Sequence, residues 1–440
     1  MKRISLLSTI VMLLLAFVLN SVVFGQTAKD GAALINEVKA VLQKNPSNPE
    51  LEKSLKKAEE AERIFTKIQN EKGRGAALLL QGEIYLRLER YSQAEQCLSK
   101  ALSVAKSTGE NTLEMFSLNR LGRALTKQDR HKEALEFYER LLVLSRKSGK
   151  LREEASCLSE IGSIYGAIGQ TSKAVEYDAK ALELYRKSGD VKGEGTGLNN
   201  IGLHYAQLGQ HQKALEYLEQ SLKIKKRIGD TQTEGITLDN IGQTYYELGK
   251  YDQAIENFTA AIERSQQKGD ERTLARSLHN LGTTYDKQEQ YQKALEYFQK
   301  ALTIKKKTGD DRSIAAALKL VGDAYGDLEQ YDQAISYLNQ ALDTSRKAGD
   351  LKKASYILNN LGEKYRKQKK YTEAIGYFEQ SLQLKKNTGD SDAEGPTLNN
   401  MGLAYHSLGN HEKALECFQK TLEIDRRTRN LESEAGTLGN

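Results

Sequence analysis

Residues 234–270, "EGITLDNIGQTYYELGKYDQAIENFTAAIERSQQKGD", carry two apolar stripes separated by a short polar break. Ile236, Leu238, Ile241 and Tyr245 form one helical face; Ala254, Ile255, Phe258, Ala261 and Ile262 form a second, at spacings of three and four. The break, "LGK" at 248–250, predicts a tight turn with Gly249 in the left-handed region. Gly269-Asp270 predicts the end of the second helix and an aspartate cap for the next, and the pair recurs at 189, 229, 309, 349 and 389. Basic runs before these ends, "KIKKR" (223–227) and "IKKK" (304–307), complement the negative helix C-terminus.

This helix–turn–helix unit repeats every 40 residues from residue 72 onward without an insertion. Glycine recurs from Gly82 and Gly122 through Gly402, and alanine from Ala94 and Ala134 through Ala414. Unbroken self-similarity predicts a solenoid in place of separate globular domains. Gly202 and Ala214 are expected to face each other where two helices cross, within a core of Leu198, Ile201, Tyr205, Leu215, Leu218 and Leu222. The boundaries that follow are 26–71 for N-terminal capping helices, 72–430 for nine units and 431–440 for the start of a tenth. "ELEKSLKKAEEAERIFTKIQ" (50–69) aligns with a second helix, and the abrupt end at Asn440 suggests the N-terminal piece of a longer protein.

Leu278, Leu281-Gly282, Tyr285, Ala294, Phe298 and Ala301 match the spacing of the tetratricopeptide repeat, which the chain resembles over 72–430. The resemblance implies an all-α, right-handed α-solenoid of stacked antiparallel helix pairs that binds proteins. Units of 40 residues look like those of kinesin light chains, LGN-type scaffolds and the repeat arms of bacterial CHAT-domain proteins. Leu125 in place of the tyrosine, Asp178 in place of the aromatic, and Lys226, Lys306 and Lys386 in place of the usual proline depart from the family pattern.

Composition changes this picture little. Charged residues make up 28% of the chain, and the formal charge of +6 includes Lys2 and Arg3, so no nucleic-acid partner is implied. Residues 1–25 read as a signal peptide: a basic start, an apolar run, then polar sequence. Export to the periplasm or medium is the expectation; residues 4–24 left uncleaved would instead anchor the chain in a membrane. Cys97, Cys157 and Cys417 are far apart and odd in number, so no disulfide framework is expected.

No HExxH, phosphate-binding glycine loop or Gly-x-Ser-x-Gly occurs, and neither an enzyme, a cofactor nor a small-molecule substrate is expected. His131, His211 and His411 occupy the place held elsewhere by Tyr91, Tyr251 and Tyr291, which speaks against metal ligation. The unusual feature is an asparagine ladder. Asn200, Asn240, Asn280, Asn360 and Asn400 share one place, two residues before the glycine, with Asn199, Asn359 and Asn399 beside them and Asp239 and His279 as variants. By resemblance this place faces the concave groove, where each amide, both donor and acceptor, can pair with a bound peptide's backbone. The other reading, which does not exclude the first, is that the amides bond internally to the neighbouring unit. Interruptions at Leu80, Arg120, Glu160 and Leu320 favour a peptide site confined to particular units. The function expected is an exported scaffold for a protein or peptide; the alternative is the sensory arm of a larger effector, a CHAT-type peptidase or histidine kinase.

Deletion of residues 231–270 is expected to leave a folded, shorter helical protein. Circular dichroism showing loss of most helix, where a nearest-neighbour solenoid loses about one-ninth, would contradict the repeat reading.

Overall fold

The computed structural model describes residues 27–44, 46–308 and 310–440; the segment read as a signal peptide lies outside them. Among the described residues there is no strand, and no helix is long and apolar enough to cross a membrane. Contacts divide the chain into two compact units, one ending at Ile224 and the other starting at Lys225. The first unit runs through α1 (27–42), α2 (Asn48–Lys67), α3 (Glu71–Arg87), α4 (Tyr91–Thr108), α5 (Asn111–Thr126) and α6 (His131–Lys147). It continues through α7 (Leu151–Ala167), α8 (Thr171–Lys187), α9 (Val191–Gln207) and all but the last turn of α10 (His211–Ile228), which falls to the second unit. The second holds α11 (Thr231–Glu247), α12 (Tyr251–Lys268), α13 (Glu271–Lys287), α14 (Tyr291–Thr308), α15 (Asp311–Asp327) and α16 (Tyr331–Lys347). It ends with α17 (Leu351–Lys367), α18 (Tyr371–Asn387), α19 (Gly395–Ser407), α20 (His411–Thr428) and α21 (Leu431–Gly439). Within each unit consecutive helices pack as hairpins and successive hairpins stack, the α-solenoid arrangement.

The helix ends follow from local chemistry. Gly249 has φ +70° and donates to Tyr246 O, while Lys250 N–H donates to Tyr245 O, so the turn satisfies carbonyls the helix leaves open. Glu89, Asp129, Glu289, Glu329 and Lys369 adopt the same left-handed turn without glycine. That costs each about 1–2 kcal/mol, a strain the flanking helices hold in place. Asp190, Asp270 and Asp350 cap the following helices, accepting from the third residue's N–H at 3.0–3.1 Å. Asp390 does not. Pro396 lacks the N–H that a helix starting at Ser391 would need, so Ser391–Ala393 form a 3-10 turn and α19 starts at Gly395. Asp390 instead accepts from the Tyr356 hydroxyl at 3.0 Å and pairs with Lys352 at 3.2 Å.

The recurrent glycine sets how closely each hairpin closes. A Cβ added at Gly242 would lie 2.8 Å from the ring of Phe258, and one at Gly362 would lie 2.5 Å from that of Phe378. Both rings are fully buried. Gly202 meets Leu218 and the Ala214 carbonyl, at 2.7 and 3.1 Å, so the alanine contributes its backbone to this contact.

A second close contact joins each hairpin to the next, near the end of the second helix. Tyr185 on α8 lies over Gly193 on α9, where a Cβ would come within 2.2 Å; Phe65 on α2 lies over Gly73 on α3, at 2.4 Å. At the same place Lys385 is buried, donating to Ala393 O (2.6 Å) and Thr397 Oγ1 (2.7 Å). Lys225 makes the equivalent bonds to Thr233 O (3.2 Å) and Thr237 Oγ1 (2.6 Å). The basic run around Lys225 is therefore more than a complement to the helix dipole: one lysine of the run is buried in a joint.

Gly242→Leu is expected to force Phe258 from its site, costing about 1–3 kcal/mol and lowering the Tm, whereas Lys226→Ala, at an exposed position, leaves it unchanged. Equal melting of the two variants would show that the buried face is misassigned.

Candidate functional site

The asparagine place lies on the first helix of each hairpin and reaches back to the hairpin before it. Asn200 Nδ2 donates to Ser159 Oγ at 3.1 Å, and Asn280 Nδ2 reaches the Asp239 carboxylate at 3.4 Å. Asn360 Nδ2 donates to Asp323 Oδ1 at 2.8 Å and Asn400 Nδ2 to Asn359 Oδ1 at 3.4 Å, while Asn399 Oδ1 accepts from Asn440 at 3.0 Å. Asn199 and Asn240 are buried and each is engaged in an interaction of its own. The structure shows internal bonds at these positions, which are compatible with a groove role for the same amides. The interruption at Arg120 has the same explanation: its guanidinium bridges Glu83 on α3 and Asn119 on α5, a different residue making the same backward connection. A sequence signal for this existed in the polar residues at Ser159, Asp239, Asn359 and Asp323, one unit back from each amide.

In the second unit the variants Asp239 and His279 are also tied down. Asp239 is buried against Arg276 Nε (2.7 Å) and Ser277 Oγ (2.6 Å), and burial raises its pKa despite the arginine. Burial, helped by Lys305, pushes His279 down to about 4, so it is neutral at physiological pH.

The first unit has open space on the same face. A cleft of about 160 Å³ between α5 and α7 is lined by Met115, Phe116, Asn119, Arg120, Leu141, Lys150, Glu153 and Ser156, together with Thr112. A second, of about 370 Å³, shares Glu153 and Ser156 with it and continues past Tyr185 to Lys192 and Thr196 on α9. Met115 and Leu141 form a buried floor, but Phe116 is 49% exposed at the lip. The three thiols offer little chemistry: burial pushes Cys97 up to about 11 and Cys157 up to about 12, and Cys157 donates to Tyr138 O. Among the described residues no cluster of three His, Cys, Asp or Glu side chains is placed to hold a metal.

One buried polar pair was not legible in the sequence. Asp178 takes the place that Leu218 and Phe258 hold in other hairpins, and it is wholly buried against Gly162. His204, on the next hairpin, brings Nε2 to 3.1 Å from Asp178 Oδ2 while Nδ1 lies 3.1 Å from Gln207 Oε1. An acceptor facing each ring nitrogen suits the imidazolium. Burial works to lower the His204 pKa, but Asp178 and Gln207 outweigh it and hold it above the ordinary 6.5; burial raises Asp178 above 3.8 against the pull of His204. Both groups thus bind protons more tightly when folded. Their stabilisation is complete below the unfolded pKa values and is lost as pH rises through the folded ones.

The Tm is expected to fall as pH rises above the ordinary 6.5 of a histidine through the raised His204 pKa. Asp178→Leu with His204→Thr, the residues found at these places in Leu218 and Thr244, is expected to flatten that slope and melt no lower at pH 8. His204→Thr alone leaves a buried carboxylate unpaired, a loss of about 3–5 kcal/mol. A slope that survives the double substitution would assign the pH dependence to other groups.

A tetratricopeptide repeat model matches residues 111–187, 193–267, 233–307, 273–347 and 353–427, and another matches 76–108. A search of curated proteins returned no match. Among solved structures, the Rap protein complexed with Competence and Sporulation Factor is 19% identical with a TM-score of 0.53, over 82% of this chain and 99% of that one. The apo form of the quorum sensor NprR from B. thuringiensis is 20% identical with a TM-score of 0.53, over 81% and 99%. The STAND protein with a tetratricopeptide repeat sensor, PH0952 from Pyrococcus horikoshii, is 16% identical with a TM-score of 0.63, over 82% of this chain and 55% of that one. At these identities the likeness is one of fold. The repeat models, the 40-residue spacing and the stacked hairpins agree, and the chain belongs to the tetratricopeptide repeat family.

Proposed function

We propose that this chain is an exported scaffold that holds an extended peptide, or an extended segment of a partner protein, along the face made by its first helices. Repeats of this family are protein-interaction modules, and the pair of joined clefts on the first-helix face of the first unit is the observation that carries the reading. The clefts follow the helices from α5 to α9, the first over an apolar floor of Met115 and Leu141 and the second past the ring of Tyr185 between polar side chains, and a chain in extended conformation fits such a track. The fold is shared with a Rap protein crystallised with Competence and Sporulation Factor and with a quorum sensor, which supports a ligand of this kind. The apolar N-terminal segment supports export. A second reading, the sensory arm of a larger effector, draws on the likeness to the repeat sensor of the STAND protein, about half of whose length this chain spans. Sequence downstream of Asn440 in the reading frame distinguishes the two.

The asparagines enter this reading as supports of the face. On an array of random 12-residue peptides the full chain is expected to retain a subset sharing a motif; retention of none overturns the peptide reading. With those peptides, Asn200→Ala combined with Asn240→Ala and Asn280→Ala is expected to lower the Tm, at about 0.5–1.5 kcal/mol per lost bond, with affinity changed less than about threefold. An affinity loss beyond about tenfold, some 1.4 kcal/mol, at unchanged Tm would make the amides the ligand contacts.

A further inference from the structure

The amide ladder bonds internally through its Nδ2 groups, and its interruption at Arg120 coincides with the cleft between α5 and α7. One stripe of α5 runs through Phe116, Arg120 and Arg123 to Lys127, the residue that caps its end, at helical spacings of four, three and four. No other hairpin places three cations after an aromatic on this stripe; the corresponding residues are, for example, Thr196, Asn200, Leu203 and Gln207, or Tyr356, Asn360, Glu363 and Lys367.

Each part of the stripe has a distinct condition. Phe116 is half exposed beside a floor of Met115 and Leu141, so apolar surface faces water at the cleft's lip. Arg120 is held by Glu83. Arg123 and Lys127 are exposed and, among the described residues, close no ion pair. Lys150 lines the cleft, and Arg152 at the start of α7 adds a cation that reaches Asp190 only at 3.9 Å. Against these stand Glu83, already paired, Glu153 at the lip, and Glu160 facing the stripe from α7. Cations outnumber carboxylates here, so the local field is positive.

Resting on the peptide-binding reading above, the geometry points to a specificity site on this stripe: the cleft beside Phe116 takes a bulky apolar side chain, and Arg123 and Lys127 take the carboxylates of acidic residues next to it. From Phe116 to Lys127 the helix rises about 16 Å, which an extended peptide covers in about five residues. The ligand is therefore an acidic segment with an aromatic or branched aliphatic anchor within about five positions of its Asp or Glu residues. Desolvation of Phe116 by the anchor supplies affinity, while the cations set composition and hasten encounter.

The test uses the full chain on the same array of random 12-residue peptides, with the strongest binders resynthesised for titration at low and high salt. Binders are expected to combine a bulky apolar residue with Asp or Glu within about five positions. Phe116→Ala, and Arg123→Glu with Lys127→Glu, are each expected to weaken them at least tenfold. Arg123→Lys should keep most of the affinity, and Arg272→Glu, on the second unit, should leave it unchanged. All these positions are exposed, and equal melting curves will confirm that the variants fold. Binders of another composition, or binders indifferent to Phe116, Arg123 and Lys127, overturn this site while leaving the peptide reading intact. An array that retains nothing overturns both.

Discussion

Everything in this molecule depends on how closely two helices approach at one glycine. Along the first helix of each hairpin a single Cβ is missing, and the side chain sixteen residues later fills the space: Leu98 against Gly82, Tyr138 against Gly122, Phe258 against Gly242, Phe378 against Gly362. The distances an added Cβ would meet, 2.4–2.8 Å, leave no room for even a methyl group. Because the hairpin closes this tightly, its opposite surface is free to pack on the next hairpin, and the repeat can propagate. The α7–α8 hairpin shows how strict the place is. Asp178 there puts a carboxyl group into a site otherwise held by Leu, Tyr or Phe, and it persists with the His204 ring beside it.

The joints between hairpins obey a looser rule, complementary size and polarity. A ring at Phe65 or Tyr185 meets glycine on the following helix, whereas Lys225 and Lys385 meet a threonine hydroxyl and a carbonyl. At the last joint Asp425 accepts from Thr437 at 3.3 Å. Each solution fills the same space by different chemistry, so neighbouring hairpins are matched to each other even though their backbones repeat. The asparagines belong to this system. Their contribution per bond is modest, on the order of 1 kcal/mol, but it recurs at successive joints and holds the first-helix face in register.

That division of labour explains where recognition can lie. Where the amides connect hairpins, the face is polar and satisfied; around α5 and α7 the connection is made by Arg120 and Glu83, and the space beside it stays open.

Helix positions, hairpin turns and the packing glycine were legible in the sequence, because a 40-residue period, αL glycines and helical apolar spacing are local properties of the chain. Leu198, Ile201, Leu215 and Leu218 are buried as their spacing requires, while Tyr205 and Leu222 lie at the edge of that core. Only the tertiary structure showed the internal bonds of the asparagines, since donors and acceptors forty residues apart are paired by stacking geometry that no local pattern encodes. It also revealed the burial of Lys385, which lies in a run of lysines that look alike in sequence, and the meeting of Asp178 with His204 across a joint. The physical reason is the same in each case. Periodicity states which residues share a face, but which side chains touch depends on the rise and rotation from one hairpin to the next, and the sum of packing contacts determines those.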